Sequence, residues 1–81
     1  MSNDAEVYRV LTEIFNDVFM RDDLALTPEL SAADVRGWDS LKQIEIIIAT
    51  EERFGIRFST RELDRLQNVG ALAKLVMAKI A

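Results

Sequence analysis

The stretch Gly37-Trp38-Asp39-Ser40-Leu41 decides the fold, because a long polar loop ends there and an apolar helix begins. Gly37 favours a turn, and Asp39 is a preferred N-cap residue that places Ser40 in the first helical turn. Free backbone N–H groups and the positive end of the helix dipole meet at that turn. The Ser40 hydroxyl therefore lies where a phosphodiester would be stabilised.

The helix that follows is predicted to run from Ser40 to Phe54, with Gly55 as its C′ residue. Its apolar residues do not share one stripe, since three consecutive isoleucines at 100° per residue spread around the helix. One row consists of Leu41, Ile44 and Ile48, and a second row beside it consists of Ile47 and Phe54. Ile46 points away from the first row. The helix is therefore either buried on most of its surface or exposes one row to a partner.

Three more helices are predicted around this one. Residues 4–19 carry an amphipathic stripe at i, i+3, i+4 and i+7 spacing. Its members are Val7, Val10, Leu11, Ile14, Phe15, Val18 and Phe19. A capping box formed by Ser59 and Glu62 opens a short helix over residues 60–66, and Asn68 caps a last helix to about Lys79. No strand of useful length appears, so we expect an all-α fold with three longer helices and one short helix.

The loop over residues 20–39 is long for so small a chain, and such loops are usually functional or packed down. It holds too many apolar residues for a free linker, and we expect several to pin it onto the core: Leu24, Leu26, Leu30, Val35 and Trp38. For Trp38, packing is favoured over a recognition role. Ser31 and Asp34 match a capping box loosely, which allows a short helical turn over residues 31–35.

Composition bounds the remaining possibilities. Eighty-one residues with 49% hydrophobic and 30% charged content predict one globular domain, residues 1–81. The run Ile46-Ile47-Ile48-Ala49 is too short to cross a bilayer, and the acidic residues within 1–15 argue against a secretory leader. The absence of cysteine makes a reducing cytosol the default. A net charge of −4 argues against nucleic-acid binding.

The side-chain inventory argues against an enzyme. The chain has no histidine or cysteine, so a Ser-His pair and a thiol nucleophile are excluded. Ser40 and Lys42 are two residues apart on a helix and point to different faces. Asp22-Asp23 lacks the spacing of a calcium loop. No catalytic residue and no metal site is predicted.

The order of these features resembles the acyl carrier protein family over nearly the whole chain. The matching parts are the first helix, the long loop, Asp39-Ser40-Leu41 opening the second helix, and an Ile-rich run ending Glu51-Glu52-Arg53-Phe54-Gly55-Ile56. The resemblance implies a four-helix carrier bundle with 4′-phosphopantetheine, taken from coenzyme A by a phosphopantetheinyl transferase, on Ser40. Asp39 would cap the helix and help to position the serine and Mg²⁺ during transfer. The arm would hold an acyl group as a thioester, so the carrier itself makes and breaks no substrate bond.

The resemblance also implies partner enzymes that transfer or activate acyl groups, or condense them, and a monomeric carrier. The residues expected to face these partners are Leu41, Lys42, Ile44, Glu45, Ile48, Glu51 and Glu52. The other side of the helix, with Ile46, Ile47 and Phe54, would border the space that shelters an acyl chain. Cargo from fatty acid, polyketide or related lipid biosynthesis fits this picture.

Lys42 departs from the family pattern, in which the residue after Ser-Leu is typically acidic. One interpretation is a solvated helix face that decides nothing. The other is altered partner choice, because complementary charge selects partners, and Arg57, Arg61 and Arg65 add a basic row nearby. We hypothesise that the carrier serves dedicated enzymes and is handled poorly by those of primary fatty acid synthesis. A Lys42→Asp variant that left every partner rate unchanged would contradict this.

Two alternatives stay open at this point. One is a carrier of aminoacyl or aryl groups in nonribosomal peptide assembly, which Trp38 between Gly37 and Asp39 disfavours only mildly. The other is an unmodified helical adaptor that binds an amphipathic partner through the exposed row. Only a carrier requires the Ser40 hydroxyl.

Overall fold

The computed structural model describes residues 4–80, and their secondary structure is entirely helical. The helices are α1 (Asp4–Phe19), α2 (Ser40–Phe54), α3 (Thr60–Leu63) and α4 (Val69–Ile80). The predicted all-α fold, with three longer helices, one short helix and a long first loop, is confirmed. Within residues 4–80, no helix combines the length and the apolar character needed to span a bilayer.

The core forms where α1 packs against α2 and α4. Five members of the predicted α1 stripe are buried, and Val18 and Phe19 pack at the margin of the core. The i, i+3, i+4 spacing places these side chains on one face of α1. Burial of that face stabilises the helix, which would be only marginally stable in water by itself. The core is completed from the other two helices by Ile46, Ile47, Val69, Leu72, Ala73 and Val76.

The loop between α1 and α2 is fixed at both its side chains and its backbone. Val35 is buried, and the other four predicted anchors pack partly buried against the core. The Val69 N–H donates to the Leu30 carbonyl at 2.8 Å, and the Gly70 N–H donates to the Pro28 carbonyl at 2.9 Å. These carbonyls satisfy the first N–H groups of α4, which have no partner inside the helix.

Local capping signals are mostly confirmed. Both halves of the capping box between Ser59 and Glu62 are present, and the Asn68 side chain accepts from the Ala71 N–H at 2.8 Å. The Gly55 and Ile56 N–H groups both donate to the Glu51 carbonyl, and Gly55 has a left-handed φ of 67°.

One helix boundary differs from the predictions. The third helix ends at Leu63 and not at Leu66, because the Leu66 N–H bonds to the Leu63 carbonyl at 3.2 Å in a tighter i→i+3 turn. Arg65 therefore lies outside α3. In the first loop, Asp34 Oδ2 accepts from both the backbone N–H and the hydroxyl of Ser31. The Asp34 N–H donates to the Ser31 carbonyl at 2.9 Å, so a single turn forms where the sequence allowed a short helical turn.

Candidate functional site

The site begins at the N-terminus of α2, where the predicted cap is confirmed. Asp39 is extended (φ −112°, ψ −170°), and its Oδ1 accepts from the Lys42 N–H at 2.9 Å. Its carbonyl accepts the first intrahelical bond, from the Gln43 N–H at 2.9 Å. The Ser40 and Leu41 N–H groups belong to the first turn, where no carbonyl of the helix can accept from them. Ser40 is exposed, so its hydroxyl lies beside two N–H groups that have no acceptor within residues 4–80 and near the positive end of the helix dipole.

Trp38 anchors the segment that leads into Ser40. Gly37 has a left-handed φ of 87°, a conformation that glycine adopts without steric cost. The Trp38 ring then lies against α1, 5.2 Å from the Phe15 ring and 6.3 Å from the Phe19 ring, both in edge-on arrangements. Such pairs add to the stabilisation from burial alone. The predicted packing role of Trp38 is confirmed, and it fixes Ser40 close to the end of α1.

The two sides of α2 differ in exposure. Ile46 and Ile47 are buried with 0% and 6% of their surface exposed. The row predicted to face outward is exposed, at 63% for Leu41, 55% for Ile44 and 50% for Ile48. Of the two possibilities left open by the isoleucine run, the structure shows the second: one apolar row is exposed.

Two adjoining grooves lie along α2 on the side of Ser40. The first, of about 540 Å³, is lined by Trp38, Asp39, Ser40, Leu66 and neighbouring residues; we call it the serine groove. The second, of about 270 Å³, lies between α2 and α3, and we call it the apolar groove. Gln43, Ile44 and Leu63 line both. The two grooves therefore adjoin each other along α2, and Ser40 lines the first of them.

The expected lining of the sheltering space needs a correction. Of Ile46, Ile47 and Phe54, only Ile47 lines the apolar groove. Ile46 is wholly buried in the core, and Phe54 packs partly buried against it. Helix α1 covers the side of α2 that carries Ile46. The sheltering space therefore opens towards α3, between Ile47 and the exposed row.

Lys42 is neither simply solvated nor part of the exposed row. Its ammonium donates to the Val18 carbonyl at 3.3 Å and lies 3.6 Å from Glu45 Oε1. Helix α1 has no basic residue in its own last turn, so Lys42 supplies from α2 the positive charge that a helix C-terminus attracts. Lys42 therefore joins α2 to the end of α1, and its effect on stability and on partner choice stays a prediction.

Glu51 also has a structural contact that the sequence did not indicate. Its Oε2 accepts from the Phe58 N–H at 2.9 Å, which ties the extended link after α2 to the helix. In this link, Ile56 and Phe58 pack partly buried against the core and Arg57 is exposed. Glu52 is exposed and Glu45 is partly exposed. The predicted partner face therefore divides into an open part and a part already engaged within the chain.

Gln43 is a site residue that the sequence interpretation missed. Its Oε1 accepts a hydrogen bond of 2.7 Å from the Trp38 indole N–H. The available signal was spacing, because residues three apart share a helix face and Gln43 follows Ser40 by three. Its pairing with Trp38 was not available, since that contact depends on how the loop folds.

Helix α3, which supplies Leu63 to the apolar groove, is tied to α4 by an ion pair between Glu62 and Lys79. Hydrogen bonding from the Ser59 backbone, with a second contribution from Lys79, lowers the pKa of the Glu62 carboxyl. The Lys79 ammonium lies 3.1 Å from Glu62 Oε1 and 5.9 Å from the centre of the Phe58 ring. Within residues 4–80, no cluster of three or more side chains of the metal-binding types is found.

The chain is similar in sequence to known proteins. A family model described as a phosphopantetheine attachment site matches residues 9–76. The chain belongs to the acyl carrier protein family. It is 37% identical over 65 residues to an acyl carrier protein of Acidothermus cellulolyticus, covering 80% of this chain and 77% of that protein. It is 30% identical to an acyl carrier protein of Thermosynechococcus vestitus over 79 residues, 98% of each chain.

Two further similarities extend this finding. A meromycolate extension acyl carrier protein of Mycolicibacterium aurum is 34% identical over 65 residues, covering 80% of this chain and 67% of that protein. The solution NMR structure of a holo acyl carrier protein from Geobacter metallireducens superposes with a TM-score of 0.87 at 43% identity, covering 91% of this chain and 85% of that chain. The predicted family, acyl carrier function and phosphopantetheine group are confirmed.

The residues of the site fit this prosthetic group. A phosphodiester needs an accessible hydroxyl and hydrogen-bond donors, and Ser40 with the first N–H groups of α2 offers both. The chain of the group needs room along the protein surface, and the two adjoining grooves beside Ser40 offer it. When bound, phosphopantetheine supplies a thiol that holds an acyl group as a thioester.

Proposed function

We propose that Ser40 is the residue that carries 4′-phosphopantetheine and that acyl thioesters are presented from it to partner enzymes. One observation carries the assignment. Among the serines within residues 4–80, the hydroxyls of Ser31 and Ser59 are engaged with Asp34 and with the Glu62 N–H. The Ser40 hydroxyl has no such partner within residues 4–80, and Ser40 is exposed at the first position of α2, where it lines the serine groove.

Asp39 has two separable roles in this proposal. Its Oδ1 caps α2, while its second carboxylate oxygen has no hydrogen-bond partner within residues 4–80. That free oxygen supports a role in positioning Mg²⁺ beside Ser40 while a phosphopantetheinyl transferase acts. Replacement by asparagine separates the roles, because asparagine caps helices as well as aspartate but carries no charge.

The partner face is proposed to centre on the exposed row Leu41, Ile44 and Ile48, with Glu45 and Glu52 beside it. An apolar row left in water and flanked by charge is typical of a surface kept for binding. The partners are enzymes that load, transfer, activate or condense acyl groups.

Charge supports dedicated partners. Arg57, Arg61 and Arg65 are exposed and form no ion pair within residues 4–80. They leave a basic margin near α3 that would repel an enzyme selected for a wholly acidic carrier. Charge reversal at Arg61 tests partner choice better than Lys42→Asp, which would also disturb the contact between α1 and α2. A specialised lipid or polyketide pathway in a reducing cytosol fits these features.

The test of Ser40 is intact mass spectrometry after incubation with coenzyme A, Mg²⁺ and a broad-specificity phosphopantetheinyl transferase. We expect one added phosphopantetheine on the parent protein and on the matched control Ser31→Ala, and none on Ser40→Ala. Asp39→Asn should remain folded but be modified more slowly. Addition to Ser40→Ala, or no addition to a folded parent protein by any transferase, would refute the assignment.

A further inference from the structure

The side chain of Gln43 is held in one orientation by Trp38. An indole N–H can only donate, so the atom of Gln43 that lies 2.7 Å from it must be the amide oxygen. The Trp38 ring is itself fixed against Phe15 and Phe19. The amide NH₂ of Gln43 therefore points away from Trp38, and within residues 4–80 it donates to no acceptor.

Gln43 lies where the serine groove meets the apolar groove. It lines both, together with Ile44 and Leu63. Those two side chains are hydrocarbon, so Gln43 is the side chain at this junction that can form hydrogen bonds. It also follows Ser40 by three residues on α2, so the two side chains share a face one turn apart.

We propose that the NH₂ of Gln43 donates a hydrogen bond to a carbonyl oxygen of one of the two amides in the phosphopantetheine arm. The inference rests on attachment at Ser40. An amide that leaves water for an apolar junction loses its hydrogen bonds unless the protein replaces them. Gln43 replaces one of them there, and Trp38 is the positioning residue that keeps the donor turned towards the arm.

The composition of the chain makes the contact directly observable. It has two glutamines, Gln43 and Gln67, and one tryptophan. In ¹⁵N-edited NMR spectra of the holo protein, we expect nuclear Overhauser contacts between the Gln43 NH₂ protons and the arm. The Gln43 signals should also shift between the apo and holo forms, while those of the exposed Gln67 serve as an internal control. Gln43 signals that move no more than those of Gln67, with no contact to the arm, would overturn the proposal.

Two substitutions separate the donor from its support. Gln43→Glu keeps an oxygen that can accept from Trp38 but has no N–H to donate to the arm. Gln67→Ala, at an exposed position, is the matched control. We expect the docked fraction of the arm, measured by its contacts to the Ile44 and Leu63 methyl groups, to fall about fivefold in holo Gln43→Glu. An unchanged docked fraction would count against the hydrogen bond. Trp38→Phe should lower the docked fraction as well, since Gln43 then loses its fixed orientation.

The outcomes distinguish this inference from attachment at Ser40. Mass spectrometry reports attachment in every variant before the spectra are recorded. If the parent protein is not modified at Ser40, the proposed function fails. If it is modified normally but Gln43 makes no contact with the arm, the proposed function stands and only the role of Gln43 is refuted.

Discussion

Ile46 and Ile48 are the same residue type, two positions apart on α2, yet Ile46 is 0% exposed and Ile48 is 50% exposed. At 100° per residue they point about 200° apart, to opposite sides of the helix. Ile46 enters the core that α2 shares with α1, while Ile48 lies on the open side beside the apolar groove. Hydrophobicity alone therefore does not say which isoleucine builds the core.

The contrast extends along both sides of the helix. Thr50, four residues after Ile46, is completely buried with its hydroxyl bonded to the Ile46 carbonyl at 2.7 Å. Leu41, which directly follows Ser40 in the chain, is 63% exposed. A helix that buries a threonine and leaves three large aliphatic side chains in water is not arranged for stability alone. This exposure fits the partner face proposed for the open side.

The largest expected effect on stability is that of Ile46→Ala, for which Ile48→Ala is the comparison. Ile46→Ala removes a fully buried side chain and should lower the free energy of unfolding by about 2–5 kcal/mol. Ile48→Ala should change it by about 0.5 kcal/mol or less, as for most surface substitutions. Urea unfolding measures both values.

The same pair tests the function of the open side. Ile48→Ala should weaken binding to a partner enzyme while the variant stays folded, with Ala78→Ser on exposed α4 surface as a control. A loss of several kcal/mol of stability in Ile48→Ala would show that its side chain is part of the core and that the two sides of α2 are wrongly assigned.

A smaller effect is expected at Lys42, which joins α2 to the end of α1. Lys42→Met keeps most of the aliphatic side chain but removes the charge that faces the Val18 carbonyl. The loss should be about 0.3–1 kcal/mol, the usual contribution of a cation at a helix C-terminus. Lys74→Met on exposed α4 surface is the matched control and should have little effect. Equal stability of the two variants in urea would show that the Lys42 contact contributes nothing.

The smallest effect concerns α3, which faces the open side of α2. The pKa of Glu62 is lowered in the folded protein by Ser59 and Lys79, so the folded state binds a proton less readily than the unfolded chain. The stabilisation is present above the ordinary value of 4.5 and is lost as pH falls below it through the lowered pKa. Melting temperatures between pH 6 and about pH 3 should therefore fall less for Glu62→Gln than for the parent protein. Parallel curves would contradict a role for the ionised carboxyl.

The elements that sequence predicted well are those whose causes are local. The α1 stripe, the Asp39 cap, the box formed by Ser59 and Glu62, and the Gly55 terminus all act within a few residues. Helix α3 ends at Leu63, three residues before the predicted end. Partly buried leucines at positions 63 and 66 fit a tight turn as well as they fit a helix.

The sequence by itself determined the helices, their caps and the exposed position of Ser40 at the start of α2, since spacing and capping chemistry are properties of neighbouring residues. Only the tertiary structure decided that Lys42 reaches the end of α1, that Glu51 holds the link at Phe58, and that Trp38 orients Gln43. These contacts depend on where separate helices and the long loop come to lie. Their position is set by burial of the shared core, which acts between segments distant in the chain.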